Sequence, residues 1–296
     1  MPLKIGILMG GLSEEREISL MTGQAVTEAC NRLGYIVSEF SFRSNYYRLL
    51  KGLKSQDIIF NALHGGIGEN GKIQSWMNEN GIKNTGSGSE SSALCMDKNK
   101  SKIIAKDNNI PTPNWEMLDS KNHLPALAMP YVIKPNDQGS TVGLTMVYNE
   151  SEIKSAIQKA FTYSNSVMAE EYIQGNELTV TVLSDKAYPI IEIKPSHELY
   201  DYECKYIPGM SRYICPADLP IDLTKTIQKD TEKIFQKLGC GVYARADYIL
   251  NNKQEYYFLE MNTLPGMTST SLVPKSVNVA GMSFDELVKN IIEISL

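Results

Sequence analysis

The residues with the most chemistry in this sequence are Arg245-Ala-Asp247 and Glu260-Met-Asn262, two short runs that flank a candidate β-hairpin. Side chains alternate between the faces of a strand. Arg245 and Asp247 therefore share one face of the run 242–250, while Val242, Ala244, Ala246 and Tyr248 take the other. On the second strand Phe258, Glu260 and Asn262 fall together. A hairpin turning symmetrically about residues 251–254 sets Asp247 opposite Phe258 and makes Glu260 its diagonal neighbour on the same face. Two carboxylates and an amide carbonyl that converge repel one another unless a cation lies between them. Hard oxygen donors in this number suit Mg²⁺ held together with nucleotide phosphates. The same spacing also fits a solvent-facing polar row with a surface Arg–Asp pair. The apolar run Tyr256-Tyr-Phe-Leu259 ahead of Glu260 favours the enclosed site.

Two weaker constellations accompany it. Lys134-Pro followed by Gly139-Ser140-Thr-Val-Gly143 puts a cation at a strand end beside a loop whose amides can hold phosphate oxygens, or is a plain hairpin with a glycine turn. Neither GxxxxGK[ST] nor a GxGxxG opening a helix is present. Glu170-Glu-Tyr-Ile173 with Glu177 offers acceptors for a ribose or an adenine amino group, or is a solvated acidic strand end. Lys98, Lys100 and Lys102 read as one face of a solvated helix, and Trp76, Met77 and Trp115 as packing groups. His123 reads as a linker residue, and no Ser/His/Asp or Cys/His set has a context for nucleophilic catalysis.

Positioning these groups requires alternating elements. The run 4–9 is an apolar strand broken at Gly10-Gly11. A helix follows with Ile18, Met21, Ala25 and Ala29 on one face, ended by Gly34. Strands at 35–40 and 57–63, the glycine loop 64–71 and a helix to Asn80 complete βαβ units, hence a parallel sheet with ligands at the carboxyl ends of its strands. A Lys-rich helix at 96–108 leads into a four-proline linker at 111–130. Strand, loop, strand, helix and strand then fill 131–172. Strands near 177–183 and 188–193, an irregular stretch at 195–216, a helix at 222–238, the hairpin, a Thr/Ser/Pro loop and a short helix from Ser283 close the chain.

The chain has 296 residues, 42% hydrophobic and 21% charged, enough for two or three domains without staples. A net charge of −5 argues against a nucleic-acid scaffold. Five cysteines, none in CxxC spacing, read as free thiols of a reducing compartment, and three scattered histidines as no zinc site. The N-terminal apolar run is too short for a signal segment, and no stretch approaches the ~20 apolar residues of a membrane span. A protein of the cytoplasm, with no membrane and no nucleic-acid partner, is expected.

Taken in order, GGLSEEREISL, ALHGGIGENG, TGSGSESSALCMDKNKSK, VIKPNDQGSTVG, EEYIQGNELTV, YDYECKY, GVYARADY and EMNTLPGMTSTSLVP resemble the D-alanine–D-alanine ligases of the ATP-grasp superfamily over nearly the whole chain. The resemblance implies α/β and α+β architecture in three domains. These are an N-terminal parallel-sheet, substrate-binding domain (1–95), a central ATP-grasp domain (96–180) and a C-terminal catalytic domain (181–296). It implies ligation of two D-alanines through a D-alanyl phosphate, with ATP and D-alanine as partners, two Mg²⁺ or Mn²⁺ ions and a homodimer. It implies metal on Asp247, Glu260 and Asn262, and nucleotide on Lys98, Lys134, Glu170, Ile173, Glu177 and Lys205. Substrate falls to Glu15, His64, Tyr200, Arg245 and Ser271. Catalysis falls to Glu15, Ser140, Tyr206, Arg245, Gly266 and Ser271, with Ser140 and Tyr206 joining the central loop to a lid near 200–210. Asn70, Gln138 and Thr141 depart from the family's usual residues without touching these groups. A D-lactate acceptor, or a nucleotide-binding regulator without turnover, are the other readings; a regulator would be expected to have lost metal ligands that this chain retains.

Overall fold

In a computed structural model, residues 2–197, 204, 207, 209–268 and 270–296 are described. The first block is built on β1 (Lys4–Gly10), whose residues after Lys4 are all buried. It pairs in parallel with β2 (Ile36–Phe42) and β3 (Ile58–Asn61), giving the order β2-β1-β3. The expected parallel sheet is present. Helix α1 (Arg16–Arg32) covers it, but with a face rotated from the one expected. Ser19, Thr22, Gly23, Val26, Ala29 and Cys30 are buried, while Met21 is 55% exposed. Close approach explains the choice: a Cβ on Gly23 would stand 2.4 Å from the Met9 sulfur, so small residues rather than long ones must face the sheet. A short turn of helix α2 (Leu50–Leu53), helix α3 (Lys72–Glu79) and helix α4 (Ser89–Met96) follow.

Asp97 interrupts the expected Lys-rich helix. Its extended backbone ends α4, and its side chain accepts the Lys100 N–H (3.1 Å), capping α5 (Lys98–Asp107). The proline-rich linker is not wholly irregular, since β4 (Trp115–Leu118) pairs with β7 (Val167–Glu171). With β5 (Tyr131–Pro135) and β6 (Thr145–Val147) these form an antiparallel sheet in the order β4-β7-β5-β6. Helix α6 (Glu150–Tyr163) packs Ile153, Ala156, Ile157 and Ala160 onto it, spaced as one helical stripe.

The third sheet contains β8 (Gly175–Leu183), β9 (Lys186–Ala187), β10 (Ile191–Pro195), β11 (Ser211–Ile214), β12 (Tyr243–Asn251) and β13 (Tyr256–Asn262). Its order is β11-β10-β8-β12-β13, with β9 on β8. Helix α7 (Ile221–Lys237) buries Ile227, Ile234 and Phe235 against it. The stretch expected to be a Thr/Ser/Pro loop contains helix α8 (Leu272–Val279), which Pro274 does not break because it lies in the first turn. Helix α9 (Phe284–Ser295) starts at Ser283, whose hydroxyl accepts the Glu286 N–H while Glu286 accepts the Ser283 N–H. Val273, Val277, Leu287, Val288, Ile291 and Ile292 of these last helices share one apolar core with Ile5, Ile7, Val26 and Ile58. The end of the chain is thus packed on its beginning, which brings the segment after β13 over the N-terminal sheet.

The glycine loop 64–71 turns at Gly71, where φ is 85° and a Cβ would lie 2.2 Å from the Ser89 carbonyl oxygen. Gly71→Ala should therefore cost about 2–4 kcal/mol, from backbone strain plus collision with backbone that cannot swing away. Gly81→Ala, at φ 67° with nothing within 4 Å, meets strain alone and should cost about 1 kcal/mol. Urea denaturation of the two variants measures the gap; equal losses would mean that the close approach is not the constraint.

Candidate active site

The hairpin that carries the strongest sequence signal departs from simple alternation. Asp247 is paired directly with Glu260, Arg245 with Asn262, and Tyr248 with Phe258. The expected pairing of Asp247 with Phe258 is overturned by a β-bulge between Asp247 and Tyr248, which leaves Leu259 unpaired and re-aims the end of the strand. The bulge brings the two carboxylates closer in register than a diagonal pair. Arg245 forks onto Asp247 (Nε–Oδ1 2.9 Å, Nη2–Oδ2 2.7 Å), and the Thr179 hydroxyl donates to the same carboxylate (2.6 Å). Lys98 contacts Glu260 (2.9 Å) and donates to the Gln138 carbonyl (2.7 Å). Asn262 Oδ1 accepts the Leu264 N–H (2.8 Å), which starts the turn toward Gly266.

Two cavities meet at this hairpin. The outer one spans about 970 Å³ including its open mouth. Lys98, Lys134, Glu170, Ile173, Glu177, Asp247 and Glu260 line it, together with the loop from Gln138 to Val142. The inner one is lined by Glu15, His64, Glu69, Arg245, Asn262 and Gly266. Lys98, Gly139, Ser140 and Glu260 belong to both walls. The expected residues are therefore sorted into two adjoining chambers with a cation and a carboxylate at the passage. Ser271 is not on either wall; its hydroxyl accepts the Thr268 N–H (2.9 Å) and lies 2.8 Å from where a Gly266 Cβ would stand. Tyr200, Lys205 and Tyr206 lie outside the described residues.

The central loop is held from across the site. Ser140 and Thr141 have left-handed backbones (φ 51° and 64°), a strained state for residues other than glycine. The Ser140 hydroxyl donates to Glu15 Oε1 (2.6 Å), tying this loop to the segment before α1. On the N-terminal side His64 Nε2 lies 2.9 Å from the Thr22 hydroxyl, which also accepts the Met267 N–H (3.4 Å). Thr22 thus links the His64 ring to the backbone just after Gly266.

The floor of the outer cavity holds a buried charge cluster that sequence reasoning missed. Lys102 is not on a solvated face. It has no exposed surface, contacts Glu170 (2.6 Å) and donates to Thr112 (2.7 Å); Lys100 alone of the three lysines points outward. The signal was available, since Lys98 and Lys102 are four residues apart and share a helix face that Lys100 does not. The other Glu170 oxygen accepts from Lys134 (2.6 Å). Burial raises the Glu170 carboxyl, but the two lysines outweigh it and hold it below the usual glutamate range. Burial lowers Lys102 to about 8, with Glu170 opposing and Lys134 adding to the shift. Both side-chain oxygens of Glu170 thus face lysines.

Comparison with known proteins gives one consistent answer. Residues 104–293 match the family model described as the D-ala D-ala ligase C-terminus. The chain is 43% identical to the D-alanine–D-alanine ligase of Methylacidiphilum infernorum (isolate V4), covering 100% of this chain and 96% of that one. It is 42% identical to that of Nitrosomonas europaea, over 99% and 97%. The ATP-complexed structure of D-alanine–D-alanine ligase from Bacillus anthracis superimposes with a TM-score of 0.87 at 34% identity, over 99% and 97%. The VanG D-Ala:D-Ser ligase from Enterococcus faecalis superimposes with a TM-score of 0.87 at 26% identity, over the whole of both chains.

Glu170→Gln strands two buried lysines without a counter-charge and should cost about 3–5 kcal/mol, whereas Lys102→Met leaves the Lys134–Glu170 pair intact and should cost far less. The carboxylate's contribution is present above its unfolded pKa of about 4.3 and is lost as pH falls through the depressed folded value. Lys102 acts in the opposite sense: its penalty is relieved as pH rises from about 8 toward the unfolded value of about 10.4. Urea titrations of the wild type and both variants across pH test this, and equal losses in the two variants would show that Glu170 is not the wedge.

Proposed function

We propose a division of labour among these residues from one premise: the chain belongs to the D-alanine–D-alanine ligase family. It is an ATP-dependent ligase that joins two D-alanines for cell-wall synthesis. The observation that carries the residue-level reading is the passage between the chambers. A carboxylate in the inner cavity must reach the terminal phosphate of a nucleotide in the outer one, and Lys98, Ser140 and Glu260 stand where they meet.

In this reading Glu170, Ile173 and Glu177 contact the adenosine. Lys134, aimed by its bond to Glu170, and Lys98 hold the phosphates, and Lys205 joins them. Asp247, Glu260 and Asn262 fit a divalent cation, because all three offer hard oxygen donors and the bulge sets the two carboxylates side by side. When bound, Mg²⁺ or Mn²⁺, as two ions, neutralises charge on the phosphates. Their carboxylates are otherwise balanced by Arg245 and Lys98.

Glu15, fixed by Ser140, takes the ammonium of the first D-alanine, with His64 nearby. That substrate's carboxylate attacks the γ-phosphate and becomes an acyl phosphate as the bond to the β-phosphate oxygen breaks and ADP leaves. The amine of the second D-alanine attacks the acyl carbon, and phosphate departs. Arg245 and the Gly266 N–H stabilise the oxyanion, a role that needs donors already in place. Ser271, at the start of α8, holds the second carboxylate; Tyr200 and Tyr206 complete the substrate side and its cover. Excluding water protects the acyl phosphate from hydrolysis. The blocks 1–95, 96–180 and 181–296 serve as substrate-binding, nucleotide-binding and catalytic domains. Family resemblance supports a homodimer working in the cytoplasm. No helix among the described residues is long and apolar enough to cross a membrane.

Phosphate release from Mg-ATP tests the reading, with D-alanine, L-alanine, D-serine, D-lactate or no acceptor. Release is expected with D-alanine; release only with D-serine or D-lactate present would reassign the acceptor. Glu260→Gln should lower ligation by more than about 100-fold with unchanged thermal unfolding, and unchanged turnover at ordinary Mg²⁺ would remove the metal assignment. Arg245→Lys keeps the charge but loses the planar fork, and kcat should fall by about 10²–10³. A change confined to KM for ATP would replace the oxyanion role with a ground-state phosphate contact.

A further inference from the structure

We propose that Cys95 and Cys240 form a reversible disulfide site whose closure shuts down the inner cavity. Cys95 ends α4 and lies on the wall of that cavity, and Cys240 occupies the turn between α7 and β12. The two sulfurs come from positions 145 residues apart and stand 3.5 Å from each other. All five cysteines are free thiols. A disulfide requires sulfurs about 2.05 Å apart, so the pair must close by about 1.5 Å. The Cys240 turn, flanked by Gly239 and Gly241, is itself held through Ser87, whose hydroxyl accepts the Gly241 N–H (3.1 Å), so closure draws on the end of α4 as well as on the turn.

The pair is also chemically asymmetric. Either sulfur can donate to the other, and the Ser91 hydroxyl donates to the Cys240 sulfur alone (3.5 Å). Cys95, followed by Ser91 and Ser87, holds the Cys240 thiol below its ordinary value against the effect of burial. The same sulfur–sulfur contact, with burial, holds Cys95 well above it. Cys240 is therefore the attacking thiolate and Cys95 the resolving thiol. The co-reactant is a low-molecular-weight disulfide of the glutathione class. The Cys240 thiolate attacks one of its sulfurs, the small S–S bond breaks, and a thiolate leaves. Cys95 gives its proton to that thiolate and attacks the Cys240 sulfur, and the second small thiol leaves. Two protein thiols are oxidised, and one small disulfide is reduced to two thiols.

The bond would act on the chemistry through sequence. Lys98 is three residues beyond Cys95 and holds both Glu260 and the Gln138 carbonyl at the passage. Dragging the end of α4 toward the turn displaces that contact, and a displacement of about 1 Å can cost about 100-fold in rate. This last limb rests on the ligase reading; the disulfide itself does not.

The test treats the reduced full chain with oxidised glutathione, alkylates remaining thiols in denaturant, and maps peptides without reduction, with ligation rate followed in parallel. A peptide linking Cys95 to Cys240 is expected, with a rate loss approaching 100-fold that dithiothreitol reverses. Cys240→Ser should keep the basal rate, form no link and resist inactivation. No linked peptide in the wild type overturns the site, whatever the activity. A linked peptide with unchanged ligation, or a Cys240→Ser protein inactivated as fully as the wild type, overturns the shutdown.

Discussion

The site depends on pairing opposite charges where water is scarce. Lys98, Lys102, Lys134 and Arg245 converge on Glu170, Asp247 and Glu260, so four cations meet three carboxylates, and Lys102 and Glu170 are buried. Each ion carries a desolvation cost that only close pairing offsets. The outer cavity itself is acidic, since Lys98 and Lys134 line it against Glu170, Glu171, Glu177, Asp247 and Glu260. A wall of this sign favours a polyanion that enters together with its cations. Below that wall, Glu170 is one carboxylate between two lysines and holds both in place.

The second constraint is the return of the chain to its start. Helices α8 and α9 share an apolar core with β1, α1 and β3, and Arg32 pairs with Asp285 across the same seam (2.7 Å). Burial of large aliphatic side chains on this scale is far stronger than any single polar contact in the site. It fixes the Gly266 segment relative to Glu15 and His64, and the Thr22 hydroxyl then needs only to trim the remaining freedom between the His64 ring and Met267. Apolar packing supplies the frame, and hydrogen bonds set the last ångström.

Much of this was legible in residue order. The parallel first sheet, the α6 stripe and the β12–β13 hairpin follow from periodicities of 3.6 and 2, and Gly34 ends α1 as expected. What escaped depends on contacts between distant residues. The bulge at Leu259 leaves no mark in alternation, yet it decides that Asp247 faces Glu260. The buried face of α1 is set by Met9, which fills the space in front of Gly23, not by the most hydrophobic stripe. Lys102 looked like a surface lysine because its partner, Glu170, is 68 residues away, although the four-residue spacing from Lys98 could have shown which face it shares. Helix α8 was hidden by a proline that is harmless in a first turn.

These two constraints differ in kind, and that difference bears on how the site can work. The seam between the chain's two ends is apolar and remains closed. The central loop is held to the N-terminal block chiefly by polar contacts. Ser140 and Thr141 are in strained backbone states, and the Ser140–Glu15 bond reaches from that loop to the segment before α1. A strained loop secured by polar contacts such as Ser140 to Glu15 and Lys98 to the Gln138 carbonyl can exchange partners at a modest cost, whereas a close-packed seam cannot. Motion that admits substrates is therefore expected on the side of the loop from Gln138 to Gly143, while the Gly266 backbone and Arg245 stay fixed. If Arg245 and the Gly266 N–H take the oxyanion role proposed for them, they do so on the rigid side, with an adjustable loop opposite, which is the arrangement that transfer between two adjoining chambers requires.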